Sequence, residues 1–266
     1  MKIILKIFHL IFIAYFIFLA GIYFLQEKMI FFPTKLEKNY KFNFNTKFEE
    51  INLTTKNNVN LNGLHFFANS PKGAVLFLHG NAQNIETWGL HSKFWTDLGY
   101  DFFVFDYRGY GKSDDKIDNE TKLYEDVNLM FERVLQDFDK DKITVVGYSL
   151  GSGLAAQVAN KYGISKLVLI SAYFNLKKLA EQKFPFVPPF LVKYTIPTDD
   201  FLSNFAKNNP NSQILLFHGK NDNLIDFSNS QKLAKFLKQN DKFYELKCGH
   251  NDIFNDELAK ILKSHF

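Results

Sequence analysis

A serine lies between two glycines in Gly147-Tyr148-Ser149-Leu150-Gly151, where the apolar run 143–146 gives way to the helix-forming Leu154-Ala155-Ala156-Gln157-Val158. Glycines two residues before and after a serine let neighbouring backbone pass without a Cβ clash. On so sharp a strand-to-helix turn the hydroxyl stands exposed at a helix N-terminus, where N–H groups favour a developing anion. That placement suits a nucleophile. The alternative is a glycine-rich turn with an incidental serine, and the strand before it and helix after it argue against that.

A serine hydroxyl attacks only when a base takes its proton. The chain has seven histidines. His9 sits in the apolar N-terminal run and His265 at the frayed end, while His65, His79 and His91 precede the serine. His218 follows the apolar run 214–217 directly. His250, in Cys248-Gly249-His250-Asn251, occupies a late loop before the last helix and fits a base by chain order and position. A carboxylate must then hold the imidazole tautomer. Asp222, in His218-Gly219-Lys220-Asn221-Asp222, is favoured for that role, with Asp226 as its competitor. The oxyanion of a tetrahedral intermediate needs two N–H donors. Leu150 and either Asn81 or Ala82, in the His79-Gly80-Asn81 loop after the run 74–78, are the candidates; His79 itself reads as structural.

These residues need elements to position them. The apolar runs 74–78, 102–105, 143–146, 167–170 and 214–217 are bounded by Gly, Asp or Ser, as parallel strands buried on both faces are. Residues 49–54 and 59–68 predict two further strands joined by a turn. Helical stretches at 85–98, 121–137, 150–162, 228–237 and 252–263 alternate with the strands, which predicts a mostly parallel α/β sheet flanked by helices. Residues 173–205 break the rhythm. Pro185, Pro188, Pro189 and Pro197 forbid one regular helix there, so the segment predicts a short lid of helices and turns, rich in Phe and Tyr.

Residues 7–25 are apolar apart from His9, long enough at 1.5 Å per residue to cross a ~30 Å hydrocarbon core. No small-residue cleavage site follows, so an uncleaved single-pass anchor is expected. Lys2 and Lys6 precede it, and its short basic start suggests a domain outside the cytoplasm. The domain reading is an anchor over 1–28, a linker over 29–48 and a catalytic domain over 49–266. The expected partners are a small or acylated substrate and a lipid bilayer.

Composition narrows the function classes. One cysteine, Cys248, excludes an internal disulfide and multi-cysteine metal sites. Net charge is only +4, and Arg108 and Arg133 are the sole arginines, which argues against nucleic-acid recognition. The chemistry above needs no metal and no cofactor.

Five features in this order resemble the α/β-hydrolase superfamily: His79-Gly80-Asn81, Asp106-Tyr107-Arg108-Gly109-Tyr110-Gly111, the Ser149 elbow, His218-Gly219-x-x-Asp222 and Gly249-His250. The His-Gly-Asn-Ala start and Tyr-Arg-Gly-Tyr-Gly turn, joined to an N-terminal membrane helix, are more similar to its membrane-anchored branch related to depalmitoylating thioesterases. The resemblance covers residues 49–266 and implies ester or thioester hydrolysis through an acyl-serine. Two positions depart from it: Gln83 stands where that branch often has glycine, and Asp226 replaces a proline common after the acid. A peptidase on the same fold, a haloperoxidase-like activity and a non-catalytic anchored module remain the alternatives.

Overall fold

In the computed structural model all 266 residues are described. Eight strands form one sheet: β1 (Phe48–Thr54), β2 (Asn60–Phe66), β3 (Gly73–Leu78), β4 (Tyr100–Phe105), β5 (Ile143–Tyr148), β6 (Lys166–Ile170), β7 (Gln213–Gly219) and β8 (Lys242–Leu246). Their spatial order is β1-β2-β4-β3-β5-β6-β7-β8. The hairpin β1–β2 and the β2–β4 pair are antiparallel, and every pairing from β4 to β8 is parallel. This is the mostly parallel sheet expected from the alternation of strands and helices, in the α/β-hydrolase arrangement that the motif resemblance implies.

Along β3, Leu76 and Leu78 face one core while Val75 and Phe77 face the other, the period of two that a sheet covered on both sides requires. Helices α4 (Glu120–Val134), α5 (Leu150–Tyr162), α7 (Thr198–Asn208) and α8 (Ser228–Leu233) cover the first face. Helices α3 (Ser92–Asp97) and α9 (Asp256–Lys263) cover the second. Asparagine side chains set several helix starts. Asn119 accepts the Lys122 N–H and Asn255 the Leu258 N–H, so α4 opens at Glu120 and α9 at Asp256, later than the 252 start read from sequence. The stretch 85–98 is not one helix. It divides into α2 (Ile85–Trp88) and α3, joined by a tight turn at Gly89–His91, where Phe44 comes within 2.6 Å of where a Cβ would be.

Helix α1 (Lys2–Ile30) is almost wholly exposed, with only Leu19 and Gln26 buried. It is long and apolar enough to cross a membrane. The stretch 29–48 differs from a free linker. Phe32 and Pro33 pair in parallel with Ala82 and Gln83, and Lys35 bridges to Gly111. Within 173–205 lie α6 (Leu176–Lys183), a short turn of helix at Pro189–Leu191 and the first part of α7.

Candidate active site

Register brings the functional loops together. Leu78 pairs with Gly147, so β3 and β5 end side by side and their loops emerge at the same carboxyl edge. There the chain turns directly from β5 into α5. Ser149 takes φ 51° and ψ −117°, a conformation that non-glycine residues avoid. Its N–H donates to the Ile170 carbonyl at 3.0 Å, and its carbonyl accepts from the Ser152 hydroxyl at 2.6 Å. The glycines are sterically required. A Cβ on Gly151 would stand 1.9 Å from the Leu78 carbonyl oxygen, and one on Gly147 would stand 2.4 Å from that of Gly151.

The Ser149 hydroxyl, 5% exposed, lies 3.0 Å from His250 Nε2, and His250 Nδ1 lies 2.6 Å from Asp222 Oδ2. With Nδ1–H donated to the carboxylate, Nε2 is left to accept the serine proton. Asp222 is itself held. Oδ1 accepts the N–H groups of Leu224 and Ile225 at 2.9 and 2.8 Å. Burial would raise the Asp222 carboxyl, but hydrogen bonds from His218, His250 and the Ile225 N–H outweigh it and hold the group well below the usual carboxylate range. Asp226 is exposed and caps the chain at Ser228, at 3.0 Å, away from the imidazole.

Of the proposed oxyanion residues, Asn81 and Leu150 line a cavity together with Ser149. Ala82 does not line it and pairs instead with Phe32. The Asn81 carbonyl accepts the Phe32 N–H and the Tyr110 hydroxyl, both at 2.8 Å. Gln83 adopts φ 69°, a left-handed conformation that favours glycine and accounts for the glycine common at this position. His79 is fully buried and donates through Nδ1 to the Gly80 carbonyl at 2.7 Å, a scaffold position. Burial pushes it down to about 4. The Asp106–Gly111 turn braces the same loop: Tyr107 donates to the His79 carbonyl at 2.9 Å, and Asp106 accepts the Ile85 N–H at 3.0 Å.

Two contributors were not read from the sequence. His218, set aside there because it directly follows the strand, is fully buried with Nε2 3.2 Å from Asp222 Oδ2 and 2.9 Å from the Ile225 carbonyl. Its Nδ1 meets the Ser230 hydroxyl at 2.6 Å. The second is α1. The cavity, about 330 Å³ and mostly apolar, is walled by Ile22, Gln26, Met29 and Ile30 from α1 as well as by Leu176, Leu179 and Val187 from the 173–205 segment.

A family model described as the alpha/beta hydrolase fold matches residues 73–200. A protein of Acanthamoeba polyphaga mimivirus named as an α/β hydrolase is 27% identical over 243 residues, covering 86% of this chain and 88% of its own. The uncharacterized Escherichia coli protein YfhR is 25% identical over 232 residues, covering 81% and 78%. Among solved structures, an esterase of Pyrococcus furiosus superposes with a TM-score of 0.68 at 21% identity, covering 88% of this chain and 97% of its own. The chain thus has the α/β-hydrolase fold, shares it with the Pyrococcus furiosus esterase, and is similar in sequence over its central strands to proteins of the α/β-hydrolase superfamily.

Proposed function

We propose that this protein is a membrane-anchored serine hydrolase that cleaves carboxylic esters or thioesters of apolar acyl groups. The observation that carries the reading is the hydrogen-bonded series Ser149–His250–Asp222 at an apolar cavity of about 330 Å³, within the usual size range of ligand pockets. In this reading Ser149 Oγ attacks the carbonyl carbon while His250 Nε2 takes the hydroxyl proton. The carbonyl electrons move onto oxygen, met by N–H groups from Leu150 and the Asn81 loop. As the tetrahedral intermediate collapses, the bond to the leaving alcohol or thiol breaks and His250 returns the proton to it. Water, deprotonated by the same histidine, then releases the acid from the acyl-serine. Asp222 holds the imidazole in the required tautomer throughout. Helix α1 is the membrane anchor, with the domain outside the cytoplasm.

The test is a chain-length series of p-nitrophenyl esters and matching acyl thioesters, with wild type and Ser149→Ala. Each methylene buried in the cavity adds ~0.8 kcal/mol, so kcat/KM should climb roughly threefold to fourfold per CH₂ until the cavity is full. Ser149→Ala should lose activity by several orders of magnitude and fold normally. Residual activity within tenfold of wild type would reject Ser149 as nucleophile, and a flat chain-length response would reject the acyl cavity.

A further inference from the structure

The tip of the 173–205 segment carries an exposed apolar surface. Phe186 and Phe190 are 78% and 81% exposed, and Phe184 beside them is also exposed. Aromatic surface so fully displayed marks a site that something apolar covers. The tip runs alongside α1. Gln26 donates through Nε2 to the Leu191 carbonyl at 2.7 Å and accepts the Lys193 N–H at 2.9 Å. Eleven residues nearer the N-terminus, roughly 16 Å along the helix, the Tyr15 hydroxyl donates to the Phe186 carbonyl at 3.0 Å. Tyr15 is near the middle of the apolar run 7–25. The tip therefore descends from the polar end of α1 towards the centre of its apolar stretch.

Its chemistry suits hydrocarbon. Residues 184–191, Phe-Pro-Phe-Val-Pro-Pro-Phe-Leu, hold no polar side chain. Three prolines have no N–H to satisfy, and three of the five remaining N–H groups, those of Phe184, Val187 and Leu191, are bonded to Ala180, Phe184 and Pro188 carbonyls. The Tyr15 hydroxyl and Phe186 carbonyl, each costly to leave unpaired in lipid, satisfy one another. Charge returns at the boundary, where Lys193 pairs with Glu27 at 3.1 Å and lies over the Tyr23 ring.

We propose that the 184–191 tip is embedded in the same bilayer leaflet as the C-terminal half of α1, and that the two form a lateral portal through which the acyl chain of a membrane-dissolved ester passes from hydrocarbon to Ser149. The occupant of the exposed face is the bilayer itself. The cavity is placed for this, since Ile22 and Met29 of α1 wall it on one side and Phe184 and Val187 of the tip on another. The substrate class is a long-chain acyl ester resident in the membrane. This deepens the hydrolase reading and rests on it.

Two measurements on the full-length protein in phosphatidylcholine vesicles test the proposal. Phe186→Cys is labelled with an environment-sensitive fluorophore; Cys248 is buried and leaves the engineered thiol as the reactive one. The label should be quenched more strongly by lipids carrying a nitroxide on the acyl chain than on the headgroup, and little by aqueous iodide. Dominant headgroup or iodide quenching would place the tip in water. Protection from both would mean that protein, such as a second copy of the chain, covers it. Either result overturns the proposal. In the second measurement, Phe186→Asp combined with Phe190→Asp should lower hydrolysis of a fatty ester dissolved in the vesicles by roughly tenfold or more, because charge is expelled from hydrocarbon. Hydrolysis of water-soluble p-nitrophenyl butyrate should stay near wild type. Equal loss on both substrates would overturn the portal. If wild type cleaves neither, the hydrolase reading fails, and label depth alone then decides insertion.

Discussion

The Tyr110 hydroxyl donates to the Asn81 carbonyl at 2.8 Å, joining two loops that lie 29 residues apart in the chain. Tyr107, three residues earlier, does the same for the His79 carbonyl at 2.9 Å. The Tyr-Arg-Gly-Tyr-Gly turn thus braces the loop beside Ser149 from behind, and Arg108 locks the turn by a two-pronged bond to Asp126 at 2.6 and 2.8 Å. Tyr110→Phe should cost ~1 kcal/mol of stability. It should also lower kcat by roughly threefold to tenfold with KM little changed, if the loop supplies an oxyanion donor whose aim matters only in the transition state. Steady-state kinetics on a short ester read this, and an unaltered kcat would detach the Asn81 loop from the oxyanion.

Asp222 and Asp226 make opposite predictions. Asp222 meets His250 at 2.6 Å, whereas Asp226 caps Ser228 in solvent. Asp222→Asn should lower turnover by roughly 10⁴ because the imidazole loses its tautomer. Asp226→Asn should leave turnover near wild type. Equal losses would mean that Asp226 acts through the fold of the loop.

His218 is expected to act on the base through Asp222. Removing it takes away one of the hydrogen bonds that keep the Asp222 carboxyl low. The carboxylate would then take up its proton at a higher pH. In His218→Asn the carboxylate, with one hydrogen bond fewer, should hold the imidazole less firmly, so kcat should fall by roughly threefold to tenfold with KM little changed. Steady-state kinetics on a short ester read this split, and a raised KM at unchanged kcat would assign His218 to the shape of the loop alone.

His91 gives a stability prediction. Burial, with Phe254 at 4.4 Å between ring centroids, pushes it down to about 4 from an ordinary 6.5. Between those values the unfolded chain binds more protons than the folded one, so stability falls as pH drops from 6.5 towards 4 and returns as it rises. The ceiling is ~3 kcal/mol. His79 is pushed down over the same window, so His91→Gln should lessen the dependence of Tm on pH without abolishing it, and an unchanged slope would assign the acid lability to His79 or elsewhere.

The parts of the fold that follow from local pattern were legible. The 143–146 run, the glycines around Ser149 and the helix 150–162 announce the strand, turn and helix because each is fixed by its own residues. Asp222 and His250 were separable from their rivals by loop position. His218 was not, because a histidine at a strand end looks the same whether its ring faces solvent or Asp222. The Phe32–Pro33 pairing with Ala82–Gln83 was equally hidden. Two-residue strands leave no periodicity, and the polar residues around them read as linker. Gln26, just past the apolar run 7–25, carries no sequence signal that its amide bridges the 173–205 backbone.

Helix α1 ends at Ile30, and two residues later the chain is already paired with the loop that carries Asn81. No slack separates helix from domain. With α1 in a bilayer, Ser149 works at one fixed height, and encounters with substrate take place in two dimensions. Diluting the substrate with inert lipid at constant total amount should then slow the enzyme, because surface mole fraction rather than bulk molarity sets the rate. The same chain would be fast in a small substrate-rich membrane domain and nearly idle in a large substrate-poor one.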